Sequence, residues 1–293
     1  MNAAAPVGLA YSVELSYDVR QSGADFIFNI QAASTAQQRV VHESLAISQV
    51  VPLKEYVDPA TGARVLRLRA QQGQLTVRYV ATVDIIHHRE KPANIAETQV
   101  ADLPGDVLAY LYPSRYCESD KLNRFAMTEF GNWGQGYGRV QAICDWVSHH
   151  VAFVSGSSQG TTSALETVAQ RQGVCRDFAH LMIALCRAVN IPARFTTGLD
   201  FGANPALGPT DFHAYVEAYV GGRWYMFDPS GTAIPMGFVR LGSGRDAADA
   251  AFASIFGDVF AGSPVLDIHA VPASDGILRE PVRGTDALST DAG

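Results

Sequence analysis

Cys175, His213 and Asp228 are three side chains whose types could together perform nucleophilic catalysis. A cysteine thiolate attacks a carbonyl carbon, and a histidine holds the thiol proton and returns it to a leaving amine. An aspartate fixes the imidazole tautomer and stabilises the imidazolium. Taken singly, such residues are more often a small core thiol, a structural histidine and a turn aspartate. The chemistry therefore depends on whether the elements that carry them bring them together.

Cys175 is predicted to begin a helix that packs through one apolar face. Apolar residues recur at the three- and four-residue spacing of such a face: Phe178, Leu181, Met182, Leu185, Cys186 and Val189. The unpaired backbone N–H groups and the positive dipole of a first helical turn favour a thiolate over a thiol. The Cys175 N–H is the expected first oxyanion donor. Gln159 and the loop 155–162 are candidates for the second donor, and Gly173 is the expected hinge before the helix.

A β-hairpin is predicted to bring His213 and Asp228 together. Residues 212–220 alternate between apolar and polar, glycines 221–222 have the form of a two-residue turn, and residues 223–228 return. This turn makes the two side chains diagonal neighbours on one face, about 7 Å apart at Cβ. The opposite face has a core composition: Ala214, Val216, Ala218, Tyr225 and Phe227. We therefore expect one buried face and an exposed His213–Asp228 pair on the other.

The order of other patterns predicts an α+β chain of two domains. Residues 11–88 form several short alternating segments without helices, which favours an antiparallel β-sandwich or a small barrel. Proline and glycine interrupt the pattern after that segment. We expect an N-terminal β-sandwich domain at 1–100, a linker at 101–120 and the catalytic domain at 121–293.

Three further elements are predicted in the second half of the chain. A strand at 193–198 follows the Cys175 helix, and an alanine-rich helix extends over about 247–256. A last strand is predicted at 265–271.

The composition limits the partners of the chain. Of its 293 residues, 47% are hydrophobic and 17% charged, which is enough apolar material for two domains. A net charge of -7 offers no basic patch for a nucleic acid. The sequence shows neither the roughly 18-residue apolar run of a membrane span nor the pattern of a signal peptide. We expect a cytoplasmic protein with neither nucleic-acid nor membrane partners.

The remaining histidines and cysteines give weaker signals. His180 lies about 140° around the helix from Cys175, off the apolar face, and is interpreted as a polar-face residue or a support for the site. Asp145, His149 and His150 have the spacing of a metal half-site, but no third ligand is evident. The four cysteines include no C-x-x-C pair, which disfavours a zinc ribbon or a thiol redox centre. We expect free thiols, no metal ion and no cofactor.

Four segments give this sequence a family resemblance. Residues 173–180, 187–194, 213–217 and 224–229 resemble the transglutaminase-like superfamily, in the bacterial branch often described as cysteine proteases. The N-terminal region is similar to the β domain that commonly precedes the core in that branch. The resemblance implies a papain-like, transglutaminase-core α+β domain. It also implies that Cys175, His213 and Asp228 are the nucleophile, the base and the orienting acid.

The expected activity is acyl transfer from an amide bond through a Cys175 thioester, with water as the usual acceptor. The chain would then be a cysteine peptidase or amidase with a peptide or protein amide substrate. A protein-glutamine amine transferase, or transglutaminase, is the first alternative, because the acceptor depends on the shape of the cleft. The second alternative is a peptide- or protein-binding module with an inactive triad. The superfamily includes enzymes of several reactions and members that have lost activity.

Overall fold

The computed structural model describes residues 5–202 and 210–291. Its α-helices are α1 (Ser119–Phe130), α2 (Tyr137–His150), α3 (Ala164–Gln170), α4 (Cys175–Ala188) and α5 (Ala247–Ala250). None of these described helices is long and apolar enough to cross a membrane. The helices occur together with antiparallel sheets, so the chain has the predicted α+β class.

Two antiparallel sheets form the N-terminal region. Their first strands are β1 (Val7–Val19), β2 (Ala24–Phe28), β3 (Gln38–Ile47), β4 (Leu53–Val57), β5 (Arg64–Ala70) and β6 (Gly73–Ile85), and the short β7 (His88–Glu90) follows. Along most of β1 and β6 every second side chain is buried, because successive side chains of a strand point to opposite faces. These side chains share one core with those of β2 and β5. The predicted β-sandwich is confirmed.

Three strands near the C-terminus complete the same two sheets. β14 (Ala253–Phe256) pairs with β2, whereas β15 (Val259–Ala261) and β16 (Val265–Val271) pair with β1. The predicted division assigns these strands to the catalytic domain 121–293, although their partners lie in the N-terminal sheets. We therefore propose a division in which 253–271 belongs with the sandwich.

The helix predicted over 247–256 is wrong in its second half. Only α5 is helical, and the chain then becomes extended as β14. Asn29, which follows β2, bonds this segment at two points: its N–H donates to the Phe252 carbonyl and its side chain to the Ala251 carbonyl. Pairing with β2 thus overrides the helical preference of the alanines.

A four-stranded sheet and α4 form the core of the second region. The sheet has the order β12-β11-β10-β13. Its strands are β10 (Ala193–Asp200), β11 (His213–Val220), β12 (Arg223–Phe227) and β13 (Phe238–Gly244), preceded by the short parallel pair β8 (Ala152–Phe153) and β9 (Gln172–Gly173). Phe178, Leu181 and Leu185 of α4 share a core with the predicted buried face of the hairpin. That half of the hairpin prediction is confirmed.

The other face of this sheet, which the sequence predicted to be exposed, is also buried. The segment after β12 covers part of it, since Ala233 packs with Tyr215 and Phe238. The strand β17 (Ala287–Ser289), which pairs with β7, covers another part, where Leu288 packs against a cluster around Tyr215. Alternation within a hairpin reveals one apolar face, but it does not show which distant segments cover the second face.

Charged side chains on this covered face neutralise one another. Glu217 of β11 is fully buried. Its carboxylate accepts hydrogen bonds from Arg194 Nε at 2.6 Å and from the Arg240 guanidinium. Asp291 near the C-terminus pairs with both arginines. Because a buried charge is costly unless it is paired, this network allows β11 to carry Glu217 on the same face as His213.

Candidate active site

Helix α4 begins at Cys175, as predicted. Asp177 fixes this start, because its Oδ2 accepts a hydrogen bond from the Val174 N–H at 2.9 Å. Its Oδ1 accepts a second hydrogen bond from Ser158 Oγ at 2.9 Å. Asp177 is fully buried, so these donors compensate for the water that its carboxylate has lost.

Gly173 is not the predicted hinge. It lies in β9, beside Phe153 of β8, and its φ lies outside the left-handed region. A Cβ on Gly173 would approach Asp177 Cβ to 2.7 Å, so the close packing of Asp177 requires glycine there. The left-handed residue is Arg171, with φ 54°, which ends α3.

Arg176 holds the loop 155–162 against the first turn of α4. Its guanidinium donates to Ser158 Oγ at 2.7 Å and to the Gln159 carbonyl. The Gln159 N–H donates to Thr162 Oγ1 at 3.0 Å, so this backbone amide already has a partner. The loop therefore lies beside the start of α4. If Gln159 supplies the second oxyanion donor, that donor is its side-chain amide, and this role stays a prediction.

Cys175 differs from the other three cysteines in its exposure. Cys117, Cys144 and Cys186 are buried, whereas Cys175 is partly exposed. Burial raises the pKa of Cys117 and of Cys186 to about 12, because it disfavours the thiolate. The Cys175 Sγ lies 3.9 Å from the carbonyl oxygen of Phe212, immediately before β11. Of the four thiols, Cys175 is the one that a substrate in solvent can reach.

The hairpin of β11 and β12 has the predicted register, with Val220 opposite Arg223. The glycines at 221–222 have φ values of 59° and 79°, which a tight hairpin turn of this kind requires. This register brings His213 Nε2 to 3.3 Å from Asp228 Oδ1. The structure therefore brings the predicted pair together.

The charges of this pair favour an imidazolium beside a carboxylate. Burial opposes the charged form of His213, but the Asp228 carboxylate and hydrogen bonds to Asp228 and Cys175 raise its pKa well above the ordinary value. Burial likewise opposes the charged form of Asp228, but His213, Ser230 and Ala233 lower its pKa. Cys175, His213 and Asp228 are thus linked by interactions through the histidine.

Three donors besides His213 hold the Asp228 carboxylate. The Ser230 N–H and hydroxyl donate to Oδ1 at 3.1 and 2.6 Å, and the Ala233 N–H donates to Oδ2 at 3.0 Å. An ionised carboxylate only accepts hydrogen bonds, so these donors favour the ionised form. They also keep Oδ1 directed at the imidazole.

Asp200 is a residue of this site that the sequence analysis missed. Its Oδ2 lies 3.4 Å from His213 Nδ1, on the opposite side of the ring from Asp228. Burial raises the pKa of Asp200, although His213 acts in the other direction. The sequence predicted a strand that ends at Gly198, which pairs directly with His213. Because β10 continues to Asp200, this carboxylate becomes a diagonal neighbour of His213. A predicted strand two residues longer would have revealed it.

His180 is fully buried, so its interpretation as a polar-face residue was wrong. Its ring stacks on Tyr116 with centroids 4.9 Å apart, and its Nε2 accepts a hydrogen bond from the Ala247 N–H at 3.1 Å. Burial lowers the pKa of His180 to about 3, so the ring is neutral near pH 7. This histidine connects α4 with α5.

The side chains of the possible metal half-site have other partners. His149 Nδ1 lies within hydrogen-bond distance of the Asp145 carbonyl, and His150 Nδ1 lies 2.8 Å from the Trp146 carbonyl. In the parts of the chain that the structure describes, no three His, Cys, Asp or Glu side chains converge to hold a metal ion.

Two family models match separate regions of this chain. The model for the transglutaminase-like superfamily matches residues 127–229, which contain the three predicted triad residues. The model for the bacterial transglutaminase N-terminal domain matches residues 9–106.

Similar proteins match all or part of the chain. One of them is a candidate cysteine protease from Cytophaga hutchinsonii, whose crystal structure is known. Its sequence is 39% identical to this chain, its structure matches with a TM-score of 0.89, and the match covers 97% of each chain. An uncharacterized protein of Mycobacterium leprae is 32% identical over 117 residues, which are 38% of this chain and 42% of the relative. One of Mycobacterium tuberculosis is 32% identical over 106 residues, which are 32% of this chain and 34% of the relative. The matches thus span less than half of either mycobacterial relative.

The family models match both regions, and the similarity to the Cytophaga hutchinsonii protein extends over nearly the whole chain. The α+β core, with a helix that begins at a cysteine and packs on an antiparallel sheet, has the corresponding architecture. The chain therefore belongs to the transglutaminase-like superfamily, with a bacterial transglutaminase N-terminal domain before its core.

Proposed function

We propose that this chain is a cysteine-nucleophile acyl-transfer enzyme that acts on amide bonds through a Cys175 thioester. Water is the usual acceptor, so the enzyme is a peptidase or amidase with a peptide or protein substrate. The observation that carries the proposal is the position of His213. This buried histidine lies 3.3 Å from the Asp228 carboxylate, and the partly exposed Cys175 is among the groups that raise its pKa.

The first half-reaction forms the thioester. The Cys175 thiolate attacks the carbonyl carbon of the substrate amide, and the Cys175 N–H at the start of α4 donates a hydrogen bond to the resulting oxyanion. The His213 imidazolium then gives its proton to the amine nitrogen as the C–N bond breaks. The amine leaves, and the acyl group stays on sulfur.

The second half-reaction releases the acyl group. Neutral His213 takes a proton from water while the water oxygen attacks the thioester carbonyl. The C–S bond breaks, a carboxylic acid leaves, and the pair of thiolate and imidazolium is restored. Asp228 stabilises the imidazolium at both ends of the cycle. An amine in place of water would yield a new amide, which is the transglutaminase reaction.

A reaction in H₂¹⁸O, with and without a small primary amine, tests which acceptor the enzyme uses. We expect each cleaved amide in a peptide panel to yield one new carboxyl group that carries one ¹⁸O atom. We expect this product to predominate even when the amine is present, because water is the proposed acceptor. Mass spectrometry of the products measures both yields.

The other functions predict different products in the same experiment. An amine adduct as the main product would contradict hydrolysis and support a transglutaminase. Peptide binding without either product would support a binding module with an inactive triad. Omitting the enzyme gives the background for each peptide.

We also propose a cytoplasmic location. All four cysteines are free thiols, which suits a reducing compartment. Fractionation of the source cells tests this, and recovery of the protein outside the cytoplasmic fraction would contradict it.

A further inference from the structure

Two buried carboxylates flank His213, and only one of them belongs to the proposed triad. Asp228 Oδ1 lies 3.3 Å from Nε2, whereas Asp200 Oδ2 lies 3.4 Å from Nδ1. Asp200 ends β10 and Asp228 follows β12, so they come from the strands on either side of β11. The imidazole thus has a carboxylate beside each of its two nitrogens.

Solvent screens this arrangement only weakly. The side chains of Asp200 and Asp228 are each 3% exposed, and that of His213 is 7% exposed. The ring of Phe238 stacks on the imidazole, with centroids 5.4 Å apart. Coulomb interactions are stronger in such surroundings than in water. A charge on either carboxylate therefore acts on His213 with little screening by solvent.

The contact with Asp200 is more favourable when His213 is protonated than when it is neutral. If Nε2–H donates to Asp228, a neutral His213 presents a lone pair at Nδ1. That nitrogen would lie 3.4 Å from Asp200 Oδ2, and two groups of negative partial charge at this distance repel each other. A proton on Nδ1, or on the Asp200 carboxyl group, removes the repulsion. Because Nε2 faces Asp228, Nδ1 is the nitrogen that remains to exchange a proton with Cys175, and Asp200 lies beside this nitrogen.

We propose that Asp200 is a positioning residue that, together with Asp228, holds His213 as an imidazolium beside Cys175. This inference rests on the proposed function, because the imidazolium matters to the reaction only if Cys175 is the nucleophile. The titratable groups around His213 are Cys175 on α4, Asp200 on β10 and Asp228 after β12, with the exposed Asp211 farther away, before β11. Asp200 keeps the Cys175 thiolate paired with a His213 imidazolium up to a higher pH.

NMR titration of His213 in the full chain, labelled with ¹³C at histidine Cε1, tests this role. A carboxylate beside an imidazolium raises its pKa, so Asp200→Asn is expected to lower the His213 pKa by about one unit. Asp211→Asn is the matched control, because it removes an equal charge from an exposed position. We expect the control to titrate like the wild type.

Alkylation of Cys175 by iodoacetamide gives a second readout over the same pH range. The upper step of its pH profile reports loss of the His213 proton, and it is expected to move to lower pH by the same amount in Asp200→Asn. A purely structural role of Asp200 would change the melting temperature but not this step. A folded Asp200→Asn variant with both titrations unchanged would overturn the inference while the proposed function stands.

Two results separate this inference from the proposed function. If wild-type Cys175 is alkylated no faster than a small free thiol near neutral pH, the proposed nucleophile fails, whereas the NMR titration still decides the role of Asp200. If Asp200→Asn does not fold, Asp228→Asn decides instead. A His213 pKa above about 6.5 when Asp228→Asn is combined with Cys175→Ala, which removes the thiolate, supports Asp200 as the remaining partner, and a value at or below it overturns the inference.

Discussion

Cys175→Ala is expected to lower amide turnover by a factor of about 10⁴ to 10⁶. In the proposed mechanism the sulfur forms the bond to the acyl group, and no other thiol of the chain is within reach of a substrate in solvent. Alanine has a high helix propensity, so α4 should still begin at the same residue. The remaining slow reaction would come from the oxyanion donor and substrate binding alone.

Cys186→Ala is the matched control for this prediction. It makes the same substitution in the same helix, roughly 16 Å along its axis from Cys175. Cys186 is buried in the core, so its replacement should cost some stability and leave turnover per folded molecule unchanged. Initial rates with one peptide amide measure both variants. Equal turnover by wild type and Cys175→Ala would contradict hydrolysis and amine transfer alike.

The hairpin could be predicted from the sequence because its register is a local property. Two glycines between alternating segments specify a tight turn, and the turn determines which residues lie opposite one another. The diagonal placement of His213 and Asp228 follows from that register alone. The start of α4 at Cys175 was equally local, since it depends on a periodic apolar face.

Asp200 could not be found in the same way, because no tight turn links β10 to β11. The chain between Asp200 and His213 is a long connection, so the pairing of Gly198 with His213 is not specified locally. Extending the strand by two residues changes Asp200 from a loop residue into a neighbour of the imidazole. A boundary error of this size is ordinary for predictions from sequence patterns, but here it hides a carboxylate of the site.

Long-range packing also explains the other wrong predictions. The segment after α5 becomes a strand because β2, more than two hundred residues earlier, offers an edge for pairing. His180 is buried because Tyr116 and Phe195 cover it from other parts of the chain. The periodicity of a helix shows its most apolar face, but it does not show whether other elements cover the remaining faces.

Asp228→Asn is expected to lower amide turnover by a factor of about 10⁴. Both oxygens of Asp228 accept hydrogen bonds from N–H groups, so the amide NH₂ of an asparagine must face at least one donor. The substitution therefore disturbs the position of His213 and removes a charge that stabilises its imidazolium. Because that charge raises the His213 pKa, its loss should also move the alkaline limit of activity to lower pH.

Asp145→Asn is the matched control, because Asp145 lines the same cavity of about 600 Å³ as Asp228 but is exposed to solvent. Rates over a range of pH measure both the maximum turnover and the alkaline limit. A fully active Asp228→Asn variant with an unchanged limit would show that Asp228 is not the orienting acid. Asp200→Asn provides the contrast. In that variant a change in the alkaline limit reports the loss of the negative charge beside Nδ1. The lower maximum turnover of Asp228→Asn reports the loss of the carboxylate that fixes the His213 tautomer through Nε2.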